Sequence, residues 1–177
     1  VGVPVRELHR AGFSVQQLRL GGCTAEELAG CGCDSAALYR GGYTVQQLKA
    51  VGFSGEQMLK ANVPITELRA AGRFSAVELH RLGVSLLHLK EGGYPLRELR
   101  EQISTDVVAL RAAGFSADNL EDVGFTATQL RDGGYPHDEI IKTCGFSSAE
   151  LKAAGFSAVE LRSHLNLSAK ELKEGGF

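Results

Sequence analysis

Apolar residues return to the same place about every ten positions along this chain. An aliphatic anchor stands at Leu8, Leu18, Leu28, Leu38, Leu48, Met58, Leu68, Leu79, Leu89, Leu99, Leu110, Leu120, Leu130, Ile140, Leu151, Leu161 and Leu172. The steps are ten residues, occasionally eleven. Three positions before the anchor a second apolar residue is common (Val15, Val45, Ile65, Leu86, Leu96, Val107). That i, i+3 pair marks one face of a helix. Five positions before the anchor lies a third apolar site, mostly aromatic: Phe13, Tyr43, Phe53, Phe74, Tyr94, Phe115, Phe125, Tyr135, Phe146 and Phe156, with Cys23 and Cys33 in the same slot.

The polar positions say where each helix starts and stops. Four before the anchor stands Ser, Thr, Asp or Pro, and all four prolines (Pro4, Pro64, Pro95, Pro136) fall there. A hydroxyl or carboxylate at that point accepts from the free amides of a first turn, and Glu or Gln three residues later completes a capping box, as in Ser157 with Glu160 and Ser147 with Glu150. Six before the anchor the usual residue is Gly, with Asn as substitute at Asn62 and Asn166. These residues tolerate the left-handed conformation that ends a helix, and the apolar residue after them packs back over the last turn. Each unit is therefore one capped helix of about seven residues with almost no loop. A lone unit cannot stand: burying one Phe and one Leu contributes roughly 1.5–3 kcal/mol each and a cap about 1, against roughly 10–20 kcal/mol for ordering ten backbones. The pattern predicts an all-α solenoid or superhelix of about seventeen short helices, whose stability belongs to the array.

Irregular units predict local changes of twist. Arg73 is inserted in "AGRFS", "IIKTCG" and "RSHLN" each lengthen a helix by one residue, and "EQISTDVVAL" lacks the Gly, which makes residues 101–106 the expected bend. A longer rhythm is laid over the ten: "LKEGGYP" at 89–95, "LRDGGYP" at 130–136 and "LKEGGF" at 172–177. Two readings of it stay open. Duplication of a four-unit block would produce it, and so would a superhelix in which unit n touches unit n+4, with Gly-Gly marking the closest backbone approach. Nothing between the units resembles a linker, so residues 1–177 read as a single continuous array. The chain stops within a motif, which predicts a segment of a longer protein and apolar ends covered by further repeats or by end-to-end association.

The unit, as it stands in "ELKAAGFSAVELR", resembles the decapeptide helical repeats that occur in long arrays within large proteins of algae and other protists. The resemblance covers the entire chain and implies an α-solenoid; it implies no particular activity.

Composition removes several classes of function. Among 177 residues, 44% are hydrophobic and 23% charged, proportions of a globular protein, and the formal net charge of −2 supplies no general attraction to nucleic acid or an anionic membrane. No apolar run approaches a membrane span. The compartment is not fixed by the sequence; a cytoplasmic one is favoured. The four cysteines (Cys23, Cys31, Cys33, Cys144) lack C-x-x-C spacing and read as buried thiols, with a Cys23–Cys33 disulfide as the alternative in an oxidising compartment. The five histidines form no metal-type pair, and each serine of the cap lane is already engaged. No enzyme, metal or cofactor is expected.

Charge leaves one question open. A basic lane one after the anchor (Arg19, Lys49, Arg69, Lys90, Arg100, Arg111, Arg131, Lys152, Arg162, Lys173) faces an acidic lane one before it (Glu7, Glu27, Glu67, Glu78, Glu98, Glu139, Glu150, Glu160, Glu171). The expectation is a self-neutralising ladder between neighbouring helices. Tracking of phosphates by the basic lane is the alternative, which would make this a nucleic-acid-binding solenoid. Tyr43, Tyr94 and Tyr135 each follow Gly-Gly and carry hydroxyls that need water or a partner, which predicts units opening toward a surface groove. With Arg100, Arg111 and Arg131 they form the candidate partner-binding set of a scaffold or protein-interaction solenoid.

Overall fold

The computed structural model describes residues 3–72, 74–103 and 106–177. Arg73 and the centre of the expected bend at 101–106 lie outside the described residues. The described residues form seventeen helices: α1 (Val5–Arg10), α2 (Val15–Leu20), α3 (Ala25–Gly30), α4 (Ser35–Arg40), α5 (Val45–Val51), α6 (Gly55–Lys60), α7 (Ile65–Ala70), α8 (Ala76–Arg81), α9 (Leu86–Glu91), α10 (Leu96–Ile103), α11 (Val107–Ala112), α12 (Ala117–Asp122), α13 (Ala127–Asp132), α14 (His137–Thr143), α15 (Ser148–Ala153), α16 (Ala158–Leu165) and α17 (Ala169–Glu174). They group into two compact units, Val1–Val84 with Glu91–Gly93, and Ser85–Lys90 with Tyr94–Phe177. The repeat itself runs through both.

Both ends of each helix follow the local chemistry of the sequence. Ser157 accepts from the Glu160 amide while the Glu160 carboxylate accepts from the Ser157 amide, and the same reciprocal box closes at Ser147 with Glu150 and Ser168 with Glu171. At the other end the anchor's carbonyl accepts from the amide five residues on: Phe13 to Leu8, Tyr43 to Leu38, Phe156 to Leu151. The glycine between donates to the carbonyl three residues back, as Gly12 does to His9, and takes a left-handed φ of 92°. This is the Schellman stop. Asn62 and Asn166 substitute for Gly at φ 57° and 53°. Gly145 departs from the lane. α14 gains a residue, Thr143 Oγ1 donates to the Glu139 carbonyl at 2.7 Å, and Cys144 leaves the helix extended at ψ 148°.

Within each unit a helix packs against its immediate neighbour and against the helix two further on. In the first, α3 meets α4 and α5, and α4 meets α5 and α6; in the second, α12 meets α13 and α14, and α14 meets α16. Successive helices therefore alternate between two rows, and two helices make one turn of the chain. The packing thus runs to second neighbours rather than the fourth neighbours of the superhelical reading. The reason is the Schellman stop: it reverses the chain after two helical turns, so the second helix on already lies alongside the first. The anchors form the core, with Leu28, Leu38, Leu48, Met58, Leu68, Leu79, Leu89, Leu99, Leu110, Leu120, Leu130 and Ile140 fully buried.

Candidate interaction site

Second-neighbour helices run parallel, because the last turn of one lies beside the last turn of the other. Arg19 at the end of α2 donates from Nε to the Gly41 carbonyl at the end of α4, at 2.9 Å. The same relationship recurs down the basic lane. Lys90 donates to the Gly114 carbonyl and stands 4.7 Å over the Phe115 ring; Arg100 reaches the Gly124 carbonyl at 3.5 Å and lies 4.6 Å over Phe125. Lys152 repeats both contacts with Gly176 and Phe177, and Lys49 stands 4.0 Å over Phe74. Lys90, Arg100 and Lys152 thus each sit at the carbonyls of a neighbouring helix end and on the face of an aromatic ring. Helix dipole and ring quadrupole both favour a cation there.

The expected acid-to-base ladder is corrected by this geometry. In parallel helices like ends lie side by side, so a last-turn cation meets carbonyls and a first-turn carboxylate meets amides. Glu139 of α14 accepts from the Ala117 amide at the start of α12 at 2.8 Å, while Glu27, Glu150, Glu160 and Glu171 close boxes on their own caps. Among the described residues, ion pairs form within helices at Lys60–Glu56 and Lys142–Asp138, between adjacent residues at Arg131–Asp132, and between second-neighbour helices where His137 meets Glu160 at 2.9 Å.

Of the candidate partner-binding residues the three tyrosines face inward, onto neighbouring repeats, whereas Arg100 and Arg131 are half-buried and Arg111 is exposed. Tyr43, Tyr94 and Tyr135 are buried, at 3–4% exposure. The Tyr43 hydroxyl donates to the Cys23 carbonyl at 2.5 Å and the Tyr135 hydroxyl to the Phe115 carbonyl at 2.6 Å, each two helices back. Their tips are therefore satisfied by backbone instead of opening on a groove. Burial pushes the Tyr135 phenol up to about 12, with the Glu139 charge acting the same way. Arg100 is engaged as above, Arg111 lies 5.6 Å from the Tyr135 ring centre, and Arg131 donates to the Ala154 carbonyl while pairing with Asp132 at 2.8 Å. Tyr43 does form a wall of two surface clefts of about 560 and 490 Å³, between the start of α5 and the end of α7 and between the start of α3 and the end of α5. At the first, the Tyr39 hydroxyl donates to Glu67 at 2.9 Å.

Gly-Gly marks a close approach, though to a second neighbour. A Cβ on Gly41 would come 2.3 Å from Val15 Cγ1, one on Gly133 2.2 Å from Val107 Cγ1, and one on Gly175 2.4 Å from Ser148 Cβ. The converse also occurs: the first helical residue of α6 is Gly55, and a Cβ there would meet Leu82 at 3.2 Å. A large residue at the start of one helix is matched by a small one at the end of the second helix on.

The thiols and histidines follow the same register. His9 holds the cation's place and Cys33 the aromatic's, with Nε2 and Sγ 3.6 Å apart. Burial, followed by Cys31 and Asp34, raises the Cys33 thiol, and burial raises Cys144 to about 11. All four cysteines are free thiols. Among the described residues there is no cluster of three or more His, Cys, Asp or Glu able to hold a metal, and no helix long and apolar enough to cross a membrane.

A periodic stack of single capped helices, bound by a cation, ring and carbonyl contact between second neighbours, defines an α-solenoid repeat protein. The chain belongs to the family described as Decapeptide repeat region, whose model matches residues 2–73 and again 65–137. No curated protein and no solved structure matches it.

Proposed function

We propose that this array is a non-enzymatic structural scaffold, and that what it binds is protein: a partner or further repeats of its own kind. The observation that carries this reading is the use of the basic lane. Its cations cover helix ends and rings within the stack, so the charges that could have tracked phosphates are spent on repeat-to-repeat contacts. The thiols support it as well. Cys33 and Cys144 are held as neutral thiols, and a nucleophile or metal ligand needs the thiolate.

The test is fluorescence anisotropy of labelled duplex DNA and single-stranded RNA, titrated with the protein from roughly 50 to 200 mM salt. The scaffold reading expects no binding near physiological ionic strength. Binding that falls steeply with salt and is weakened by Arg100→Gln with Arg111→Gln would overturn it in favour of a nucleic-acid-binding solenoid.

A further inference from the structure

We propose that the cleft beside Glu121 is a docking site for a lysine or arginine side chain of a protein partner, held as the array holds its own cations. This rests on the reading of the array as a protein-binding scaffold. Phe74 under Lys49, Phe115 under Lys90, Phe125 under Arg100 and Tyr135 under Arg111 are 4–7% exposed. At α12 the basic lane is broken by Glu121, its only acid, with Gly145 and Phe146 following at the usual separations of 24 and 25. A Cβ on Gly145 would stand 3.7 Å from Glu121 Oε1, so the carboxylate occupies the cation's place. Phe146 is left half-buried, as is Phe53, where Ala29 holds the lane. Glu121 is itself half-buried, and its carboxylate has no hydrogen-bond or ion-pair partner among the described residues. Cys144 is extended at ψ 148° and Gly145 lacks the left-handed φ of its lane, so α14 ends with neither a Schellman stop nor a lane cation at its last turn.

The resulting cleft, of about 480 Å³, lies between the start of α13 and the end of α15, with Glu121, Gly145, Phe146 and Glu150 on its walls and no basic residue among those that line it. The equivalent cleft at the start of α3 has Arg19 in the place of Glu121 and Tyr43 in that of Phe146, and there the Arg19 guanidinium donates to the Gly41 carbonyl. The nearest lane cation, Arg100, is already spent on the Gly124 carbonyl and the Phe125 ring. A guanidinium or ammonium entering beside Glu121 therefore meets a helix end and a ring, as the lane cations do, and gains an unpaired carboxylate. The surface alongside favours a protein over a free ion as its source. Thr128, at the edge of the cleft, is the second residue of α13, and the same position in α9, α11 and α15 carries Leu87, Val108 and Ala149, all exposed and uncharged. Leu87 is 43% and Val108 60% exposed. These helices belong to one row, so residues flanking the docked cation have apolar surface to cover.

Amide nuclear magnetic resonance of the protein tests this, with a blocked peptide that carries one arginine beside one leucine as the probe, and the citrulline version of that peptide and calcium chloride alone as comparisons. The expected result is a saturable shift of the Glu121, Gly145 and Phe146 amides with the arginine peptide and none with calcium. The citrulline peptide, which keeps the shape and loses the charge, should bind roughly tenfold more weakly, and Glu121→Gln should weaken the arginine peptide by a similar factor. Glu121→Lys returns a cation of the chain to the lane and should abolish binding while the rest of the spectrum stays in place. No shift at these amides with millimolar peptide, equal binding of the citrulline peptide, binding that survives Glu121→Lys, or equal shifts at the uncovered Phe53 would each overturn the proposal. The same shifts from calcium alone would overturn it in favour of a metal site. None of those results touches the scaffold reading, which falls on nucleic-acid binding instead.

Discussion

Val15 of α2 lies directly against Gly41 at the end of α4, so that a Cβ on Gly41 would fall 2.3 Å from Val15 Cγ1. Gly41 has a φ of −73°, which any residue adopts, so space alone and not backbone conformation selects glycine there. Val15 is β-branched and stiff at χ1, so it cannot turn away cheaply. Gly41→Ala is expected to cost roughly 1–3 kcal/mol in urea unfolding, despite the gain a helical Gly→Ala change usually brings. Val15→Ala in the same chain should recover most of that loss. Additive effects of the two substitutions would show that the residues do not touch.

The caps make a second prediction. Ser157 accepts from the Glu160 amide at 3.2 Å, whereas Ser163, outside the lane, only donates to the Glu160 carbonyl on an exposed face. Ser157→Ala should cost about 1 kcal/mol and Ser163→Ala a few tenths, read from the midpoint of chemical unfolding. Equal effects would contradict the register of the helices.

Acid should weaken the same cap. The Ser157 amide, then His137 and the Ser157 hydroxyl, bond the Glu160 carboxylate and hold it at about 2, well below its ordinary 4.5. A carboxylate depressed in the folded state contributes stability above its unfolded value, and that contribution is lost as pH falls from about 4.5 toward 2. Glu160→Gln should flatten the slope of stability against pH in that window. An unchanged slope would remove Glu160 from the acid response.

Tyr135 answers at the other end of the pH scale. Its phenol is raised to about 12 from 10.0, and Tyr39 and Tyr43 are raised as well, so ultraviolet difference spectra should show late-ionising tyrosines that include Tyr135. A group raised on folding contributes stability below its unfolded value of 10.0, and loses it as pH rises through about 12. Tyr135→Phe should cost about 0.5–1.5 kcal/mol through the lost bond to the Phe115 carbonyl and remove one tyrosine's amplitude from the late transition. An unchanged late amplitude after the substitution would show that Tyr135 is not among the late-ionising groups.

The helices themselves were legible because their punctuation is local: Ser157 and Glu160 are three residues apart, Leu8 and Phe13 five, and the chemistry of cap and stop acts over just those distances. The stacking was not legible in the same way. A period of ten or eleven residues is consistent with contact at any multiple of it, so the "GGY" rhythm left both block duplication and fourth-neighbour contact open, whereas the packing uses second neighbours. The basic lane was legible as a lane, but its destination depends on whether stacked helices run parallel. The tyrosines looked surface-bound because a phenol needs a partner, and the backbone carbonyls of Cys23 and Phe115 supply it. Signals for the true register do exist in the sequence. Val15 with Gly41 and Val107 with Gly133 pair large with small at a separation of 26, and Gly55 with Leu82 reverses the order at 27. His9 and Cys33 replace cation and aromatic together at the matching separation of 24.

The most direct measurement is of that register in solution. Nuclear Overhauser contacts from the Val15 methyls to the Gly41 α-protons, and from the Val107 methyls to those of Gly133, follow from helices stacked two apart in parallel rows. Both cross-peaks are predicted to be strong. Their absence, with methyl contacts appearing instead to residues four repeats away, would contradict the account.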